Sequence, residues 1–564
     1  MIIKNILQFR QCGVVFLQTI RSQSRGPQQV TRLAGVESKI TPHCLNCRKI
    51  SDFILKGGAM ASIIKYSVTF LAIVFFATFC IASEKKQKET GAPLSQQTQA
   101  CITCHEMFTP GIVKDWLSSR HSITKPEDAM KKGALERRIS TEKLPKEFSK
   151  YAVGCYECHS QNPEKHKDNF EHMGFKINVV VSPNDCKTCH PVEANQFSGT
   201  KKSNAVKNLM GNPVYHTLVD TVTGLKKIDQ GKITSEKPSD NTLRETCLGC
   251  HGTKVESRGL KKVSTKLGEL MFPDLANWPN QGVGRENPDG STGSCSACHP
   301  RHSFSIEVAR KPHTCAQCHL EPDTPAWDVY AESKHGDILF SKEREWEFNT
   351  VPWTVGKDFK TPSCAVCHNS LITSLDGKVI AERTHNFGAR LWVRLFGLVY
   401  SHPQPKSGDT TIIRNKDGLP LPTAFTGEPA SEYLIDRSEQ EKRMNTMESI
   451  CNSCHNIDWV NGHFAKLENT IKETNEMTLA ATKLVLEAWG FGIEDKTNPF
   501  DETIEKMWVK QWLFYSNSIR YSSAMTGAPD YSSFKNGWWD LSENLSHMKD
   551  WIELKKKVKG IELK

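Results

Sequence analysis

The sequence has little that reads as a strand. No segment sustains the apolar–polar alternation of a half-buried sheet, which excludes a sheet-built domain. Long hydrophobic runs are nearly missing as well: one apolar stretch, Ser67 to Ala82, falls slightly short of the about 20 residues that cross a bilayer. A charge imbalance is also lacking where it would matter. The chain carries 73 Lys and Arg against 63 Asp and Glu, but residues 1–83 hold ten of the former and two of the latter. The remainder, 63 against 61, is near neutral and offers no electrostatic footprint for nucleic acid. Spare cysteine is scarce too, since sixteen of the twenty fall in one repeated pattern.

That pattern is Cys-x-x-Cys-His, and it occurs eight times. The units are Cys101, Cys104 and His105; Cys155, Cys158 and His159; Cys186, Cys189 and His190; Cys247, Cys250 and His251; Cys295, Cys298 and His299; Cys315, Cys318 and His319; Cys364, Cys367 and His368; and Cys451, Cys454 and His455. A bare Cys-x-x-Cys is ambiguous between zinc, a redox pair and haem. A histidine directly after every second cysteine removes the first two and leaves c-type haem attachment, with two thioether bonds and one axial nitrogen. The expected cofactors are therefore eight haems c. Cys44 and Cys47 lack the following histidine and receive no metal.

Haem c is attached outside the cytoplasm, so the chain needs an export signal. Met60 to Lys65 makes a short basic start, Ser67 to Ala82 is apolar, and Cys80-Ile-Ala82 fits a cleavage site. Residues 60–82 read as a signal peptide and 1–59 as a presequence from a start codon placed too early, with no membrane anchor in the mature chain. Between Cys101 and His455 the units follow one another too closely for each to own a hydrophobic core, so haem itself must be the core. The intervening "SPND", "NPDGSTG", "EPDTP" and "HPQPKSGD" are turn clusters. The expected fold is mainly α, with little β: a haem-packed domain over residues 83–460, then a C-terminal bundle of long helices over 461–564. Phe464, Leu467 and Ile471 begin one helix, which stops near Gly490, and Ile504, Trp508, Trp512, Tyr515 and Ile519 stripe a second. Phe534, Trp538, Leu541, Leu545, Met548 and Ile552 form a heptad seam, which wants a partner helix from the same chain or from another copy.

An iron with two histidines carries electrons but binds no substrate. Twelve histidines lie outside the units; His43 is in the presequence and His547 deep in the tail. The other ten, His121, His166, His172, His216, His302, His313, His335, His385, His402 and His463, are enough to close every haem. His302 cannot close the haem of His299, because residues three apart on a helical turn point the same way. Either it serves a different haem or it faces an empty coordination site.

The order of the units, with the stretches "HMGFKINVVVSPNDCKTCH", "NPVYHTLV", "WPNQGVGRENPDGSTGSCSACHPRHSF", "AESKHGD" and "THNFGARLWVRLFGLVYSHPQPK", resembles the hydroxylamine oxidoreductase family of octahaem cytochromes, including the hydrazine dehydrogenases of anaerobic ammonium oxidisers. The likeness covers residues 95–560. It implies that the fourth haem, on Cys247, Cys250 and His251, is catalytic and open, with His302 as a base in its pocket beside Asp289. It further implies a tyrosine, here Tyr531 with Tyr515 and Tyr521 as competitors, cross-linked to that porphyrin from a neighbouring subunit of a covalent homotrimer. The distal ligands implied are His121, His172, His216, His335, His385, His402 and His463, with His166 and His313 left at the surface or beside propionates. The implied activity is oxidation of hydroxylamine or hydrazine in the periplasm or the anammoxosome lumen, with electrons passed to a soluble acceptor such as a small cytochrome c. The alternatives are a nitrite or hydroxylamine reductase on the same scaffold and a non-catalytic electron carrier. Intact mass spectrometry of the purified protein is expected to show a chain that begins near Ser83 or Glu84 and carries eight covalent haems; a mass that retains residues 1–59, or lacks a haem, contradicts this.

Overall fold

A Cys-x-x-Cys-His unit is long enough to close one helical turn, and that is what it does. Three units are five-residue helices of their own, Cys155–His159, Cys247–His251 and Cys364–His368. The first unit sits in α1 (Gln96–Phe108), whose Ser95 cap accepts the Thr98 amide at 3.1 Å. The computed structural model describes residues 91–561 apart from Val399. The stretches expected to be a presequence and a signal peptide, with Cys44, Cys47 and His43, lie outside the described residues.

The described chain is mainly helical, with five small sheets of two or three strands. β1 (Asn169–His172) pairs with β2 (Phe175–Asn178). After α2 (Pro213–Thr223) come two further hairpins: β3 (Leu225–Asp229) with β4 (Lys232–Glu236), and β5 (Glu256–Thr265) with β6 (Gly268–Ala276). The last of these is longer than the sequence led us to expect. Alternation reports one buried face, and β5 is exposed along most of its length, with Leu260, Leu267 and Met271 open to solvent. No periodic signal could arise there. Among the described residues no helix is long and apolar enough to cross a membrane.

The haem-free tail follows the expected stripes, with one shift. After α3 (Arg437–Asn452), which ends in the eighth unit, α4 (Ile457–Gly490) runs 34 residues and buries Phe464 and Leu467. Its inner face continues with Thr474, Thr478 and Thr482, whose hydroxyls each donate to the carbonyl four residues back at 2.8 Å. Packed against it are α5 (Thr503–Val509), α6 (Ser516–Ala524) and α7 (Trp538–Val558). Ile504, Trp508, Trp512 and Ile519 are all buried, and Trp508 Nε1 donates to Thr482 Oγ1 at 3.0 Å. Side chains of this size contribute about 1.5–3 kcal/mol each on burial. A π-helical turn, Lys510–Tyr515, inserts an extra residue between α5 and α6. It rotates Tyr515 off the stripe to a half-buried position. The heptad seam is closed inside the chain: Leu541, Met548 and Ile552 are fully buried, the latter two in one cluster with Trp508 and Val485. Phe534 lies before the helix and is exposed. The seam's partner is therefore in the same chain.

His166, expected at the surface or beside a propionate, is buried between two carboxylates. Its Nδ1 lies 3.0 Å from Asp168 and its Nε2 3.2 Å from Asp185, and its side chain is 0% exposed. Asp168 also accepts the amides of Val179 and Val180, and Asp185 that of Ser182, just before Cys186. Burial alone would lower the imidazole, but the bonds to Asp168 and Asp185 and their charge push it up to about 10. His166 is thus a cation that pins the loop between the second and third units. Its contribution is full below about pH 6.5, the unfolded value, and is lost as pH rises through about 10. His166→Ala leaves two buried carboxylates without their cation and is expected to cost about 3–5 kcal/mol, measured by denaturant unfolding at pH 6; a loss under about 1 kcal/mol contradicts this account.

Candidate functional site

The units that are separated in sequence meet in space. Cys101 lies beside Cys155, Cys186 beside Cys295, Cys250 beside Cys318, and Cys315 beside Cys364. Cys367 in turn neighbours Cys451 and Cys454. The second to eighth units open onto one continuous cavity of about 1920 Å³ with largely apolar walls. A pocket for one small molecule is about 300–1,000 Å³, so this space is built for several large groups. Among the described residues, no three cysteines or histidines converge as a zinc site requires.

The histidines fit haem iron. An imidazole–metal bond is about 2 Å long, which sets two rings on one metal with centroids roughly 6 Å apart. His105 and His172 stand 6.2 Å apart, His121 and His190 6.3 Å, His299 and His385 6.5 Å, and His335 and His455 6.2 Å. In several units Nδ1 is already bonded, which presents Nε2 to the metal. His159 Nδ1 meets the Asn178 carbonyl at 2.8 Å, His251 Nδ1 the Ala205 carbonyl at 3.3 Å, and His105 Nδ1 the Thr109 hydroxyl at 2.8 Å. His402 Nδ1 donates to its neighbour's carbonyl at 2.6 Å, and its buried Nε2 has no hydrogen-bond partner. Burial lowers His121 and His385 to about 4 and His402 to about 3, so all three are neutral, as a metal ligand must be.

Other expected residues are elsewhere. His216 is half-exposed on α2 with Nε2 3.7 Å from Asp220, and the structure brings it to no haem unit. His463 stacks at 5.5 Å on Trp459, which stacks at 4.1 Å on His455, so it belongs to the surroundings of the eighth unit. His313 is exposed and packs at 4.9 Å on Trp327.

Asp289 and His302, expected together in the pocket of the fourth haem, have the following surroundings. Both Asp289 oxygens are occupied, by Ser182 Oγ at 2.7 Å, Asn184 Nδ2 at 2.9 Å and Ser291 Oγ at 2.6 Å, so it holds a turn. His302 has φ +68, and its ionisable neighbours are His159, Arg301 and Asp115. The left-handed backbone is not the helical turn that the three-residue spacing from His299 suggested. Burial, then His159 and Arg301, lower its imidazole.

The carboxylate near His251 is Asp323, which the sequence hid inside the turn cluster "EPDTP". It lines the cavity, acts on the charge of His251, and neighbours Cys247 and Cys250. Burial raises its carboxyl, against bonds from the Asp323 and Thr324 amides and the charge of His251. Its position four residues after His319 was the available signal. Tyr521 shares the cavity; burial pushes its phenol up to about 12, with Arg394 and Asp323 as its charged neighbours. Tyr531 is placed differently: it is fully buried in its own chain among Val329 and Ala528, its hydroxyl donating to Glu321. Reaching a neighbouring subunit would dismantle that contact.

A solved structure described as a hypothetical multihaem protein is 41% identical, with a TM-score of 0.77, over 83% of this chain and 97% of that one. The chain belongs to the multihaem cytochromes c. Within this cytochrome, residues 285–386 match the family described as seven times multi-haem cytochrome CxxCH, and residues 185–270 match cytochrome c554 and c-prime. A probable nitrite reductase–hydroxylamine oxidoreductase fusion protein of Kuenenia stuttgartiensis is 27% identical over 283 residues, 48% of this chain. The match spans a quarter of that longer protein. The fold is shared with a reducing HAO-like protein complex of the same organism, at 17% identity and a TM-score of 0.56 over 83% of this chain and 86% of that one. If His302 ligates the iron of a unit other than its own, His302→Ala turns one low-spin haem high-spin by resonance Raman spectroscopy; an unchanged spin count contradicts that ligation.

Proposed function

We propose that this cytochrome carries eight haems c and is an oxidoreductase for small nitrogen compounds, with hydroxylamine or hydrazine as substrate, working at the haem of Cys247, Cys250 and His251. The observation that carries the proposal is the company of His251. Four other unit histidines stand opposite an imidazole at 6.2–6.5 Å, and a fifth, His159, has His302 beside it. His251 has Asp323 instead.

That haem would supply an open coordination position and exchange single electrons. The chain's own residues supply the protons and the enclosure. His251 holds its ring by the Nδ1 bond to Ala205. Asp323, raised by burial, exchanges a proton with substrate more readily than a solvated aspartate would at neutral pH. Tyr521, kept protonated, presents a hydroxyl to the same space. The adjoining units, from Cys250 beside Cys318 through Cys315 beside Cys364 to Cys367 beside Cys451, give electrons a path to the eighth unit and a soluble acceptor.

One observation favours the reductive direction, with nitrite or hydroxylamine as electron acceptor. Tyr531, the residue through which the family resemblance implies a porphyrin cross-link, is spent on Glu321 within its own chain. A link from Tyr531 to a neighbouring porphyrin would first require release of Glu321. Steady-state turnover separates the two: hydroxylamine and hydrazine with an oxidised cytochrome c, against nitrite with a reduced dye. Asp323→Asn is expected to lower the productive rate by about 10²–10⁴-fold while leaving the haem count and low-spin spectrum intact. Turnover with none of these substrates, or full activity in the variant, contradicts the proposal.

A further inference from the structure

His319 of the sixth unit belongs to none of the imidazole pairs described above, and Asp323 acts on His251 rather than on His319. What stands before it is an amine. Lys202 Nζ lies 3.1 Å from His319 Nε2, and both side chains line the haem cavity. The amine meets Nε2, the nitrogen that an iron would take. Two metal–nitrogen bonds of about 2 Å need donors about 4 Å apart. The required retreat of about 1 Å is within the reach of a four-carbon side chain.

The backbone around Lys202 is fixed rather than loose. Thr200 Oγ1 donates to the Phe197 carbonyl at 2.6 Å and accepts the Ser203 amide at 3.2 Å, and Ser203 Oγ donates to the Thr292 carbonyl at 3.0 Å. Ser203 is fully buried. The amine also lies 5.2 Å from the centroid of Phe387, so the apolar wall guides it along the cavity.

We propose that Lys202 is the second axial ligand of the haem carried by Cys315, Cys318 and His319, so that this iron has histidine–lysine ligation. The proposal rests on the haem assignment of the sixth unit and is independent of which haem binds substrate. The stronger amine donor and the absence of a second imidazole set this haem apart from its bis-histidine neighbours on the relay.

The test uses the full-length, haem-loaded protein and three chains: wild type, Lys202→Met and Lys202→Arg. Arginine keeps the charge but does not ligate, because it stays protonated. Resonance Raman and electron paramagnetic resonance spectra count high-spin ferric haems, and the quantity read is the change from wild type, whatever number wild type has. Each variant is expected to gain one high-spin haem per chain. Near-infrared magnetic circular dichroism of the wild type is expected to contain a charge-transfer band displaced from the bis-histidine bands, absent from both variants. An unchanged spin count in both variants overturns the proposal, as does a wild-type spectrum of bis-histidine bands only. A wild-type-like Lys202→Arg beside an altered Lys202→Met also overturns it, since the lysine then acts through charge alone. Should the variants fail to load haem, the wild-type charge-transfer band decides by itself.

Discussion

The chain encloses a space that its own side chains do not fill. The space is about 1920 Å³, its walls are largely apolar and seven of the eight Cys-x-x-Cys-His units open onto it, so it is several times the about 300–1,000 Å³ of a pocket for one small molecule. The fold therefore depends on haem as its core, and much else follows. Short helices and turns suffice between the units because they have no hydrophobic layer to build. Adjoining cysteines from different units place attachment points side by side, so what closes the core also joins the redox groups. The same constraint explains the sealed, neutral histidines: burial beside the porphyrins keeps them uncharged and ready to bind iron.

Against that background the differences among the eight positions carry the function. Where an imidazole faces an imidazole, the iron is closed and only electrons pass. In the proposed function, the Asp323 carboxyl near His251 would stand where other positions have a ligand, and that haem would do the chemistry on a small molecule. His319, with an amine in front of it, is a third kind of position next to the second. Haems that differ in ligation would differ in potential, and on the proposed reading such differences would direct electrons along the relay.

Local covalent chemistry was legible in the sequence and spatial choice was not. Every Cys-x-x-Cys-His unit announced itself, because thioether attachment demands that spacing wherever the unit lies. The stripes of α4 and α5 were also plain, since helical periodicity against a core survives in the letters. Asp323 was missed because a turn and a pocket acid use the same residues, and "EPDTP" supplies both. The three-residue spacing of His302 from His299 suggested a shared helical turn, whereas its φ is +68. The seam of α7 was visible, but a heptad does not say whether its partner is the same chain; Met548 and Ile552 meet Trp508. The β5–β6 hairpin left no trace, having hardly any buried face to impose alternation. Tyr531 lies where the family resemblance directed, yet its hydroxyl turns to Glu321.

The central claim is that haem fills the cavity and that the iron on His251 is the one left open to a protonatable side chain. Diffraction from crystals of the haem-loaded protein at the iron absorption edge tests both parts together. The account predicts eight iron peaks, seven of them along one connected space, with the peak at His251 having no protein nitrogen opposite it and the Asp323 carboxyl on that side. Fewer iron sites, or a histidine or lysine nitrogen bound to the iron opposite His251, would contradict it.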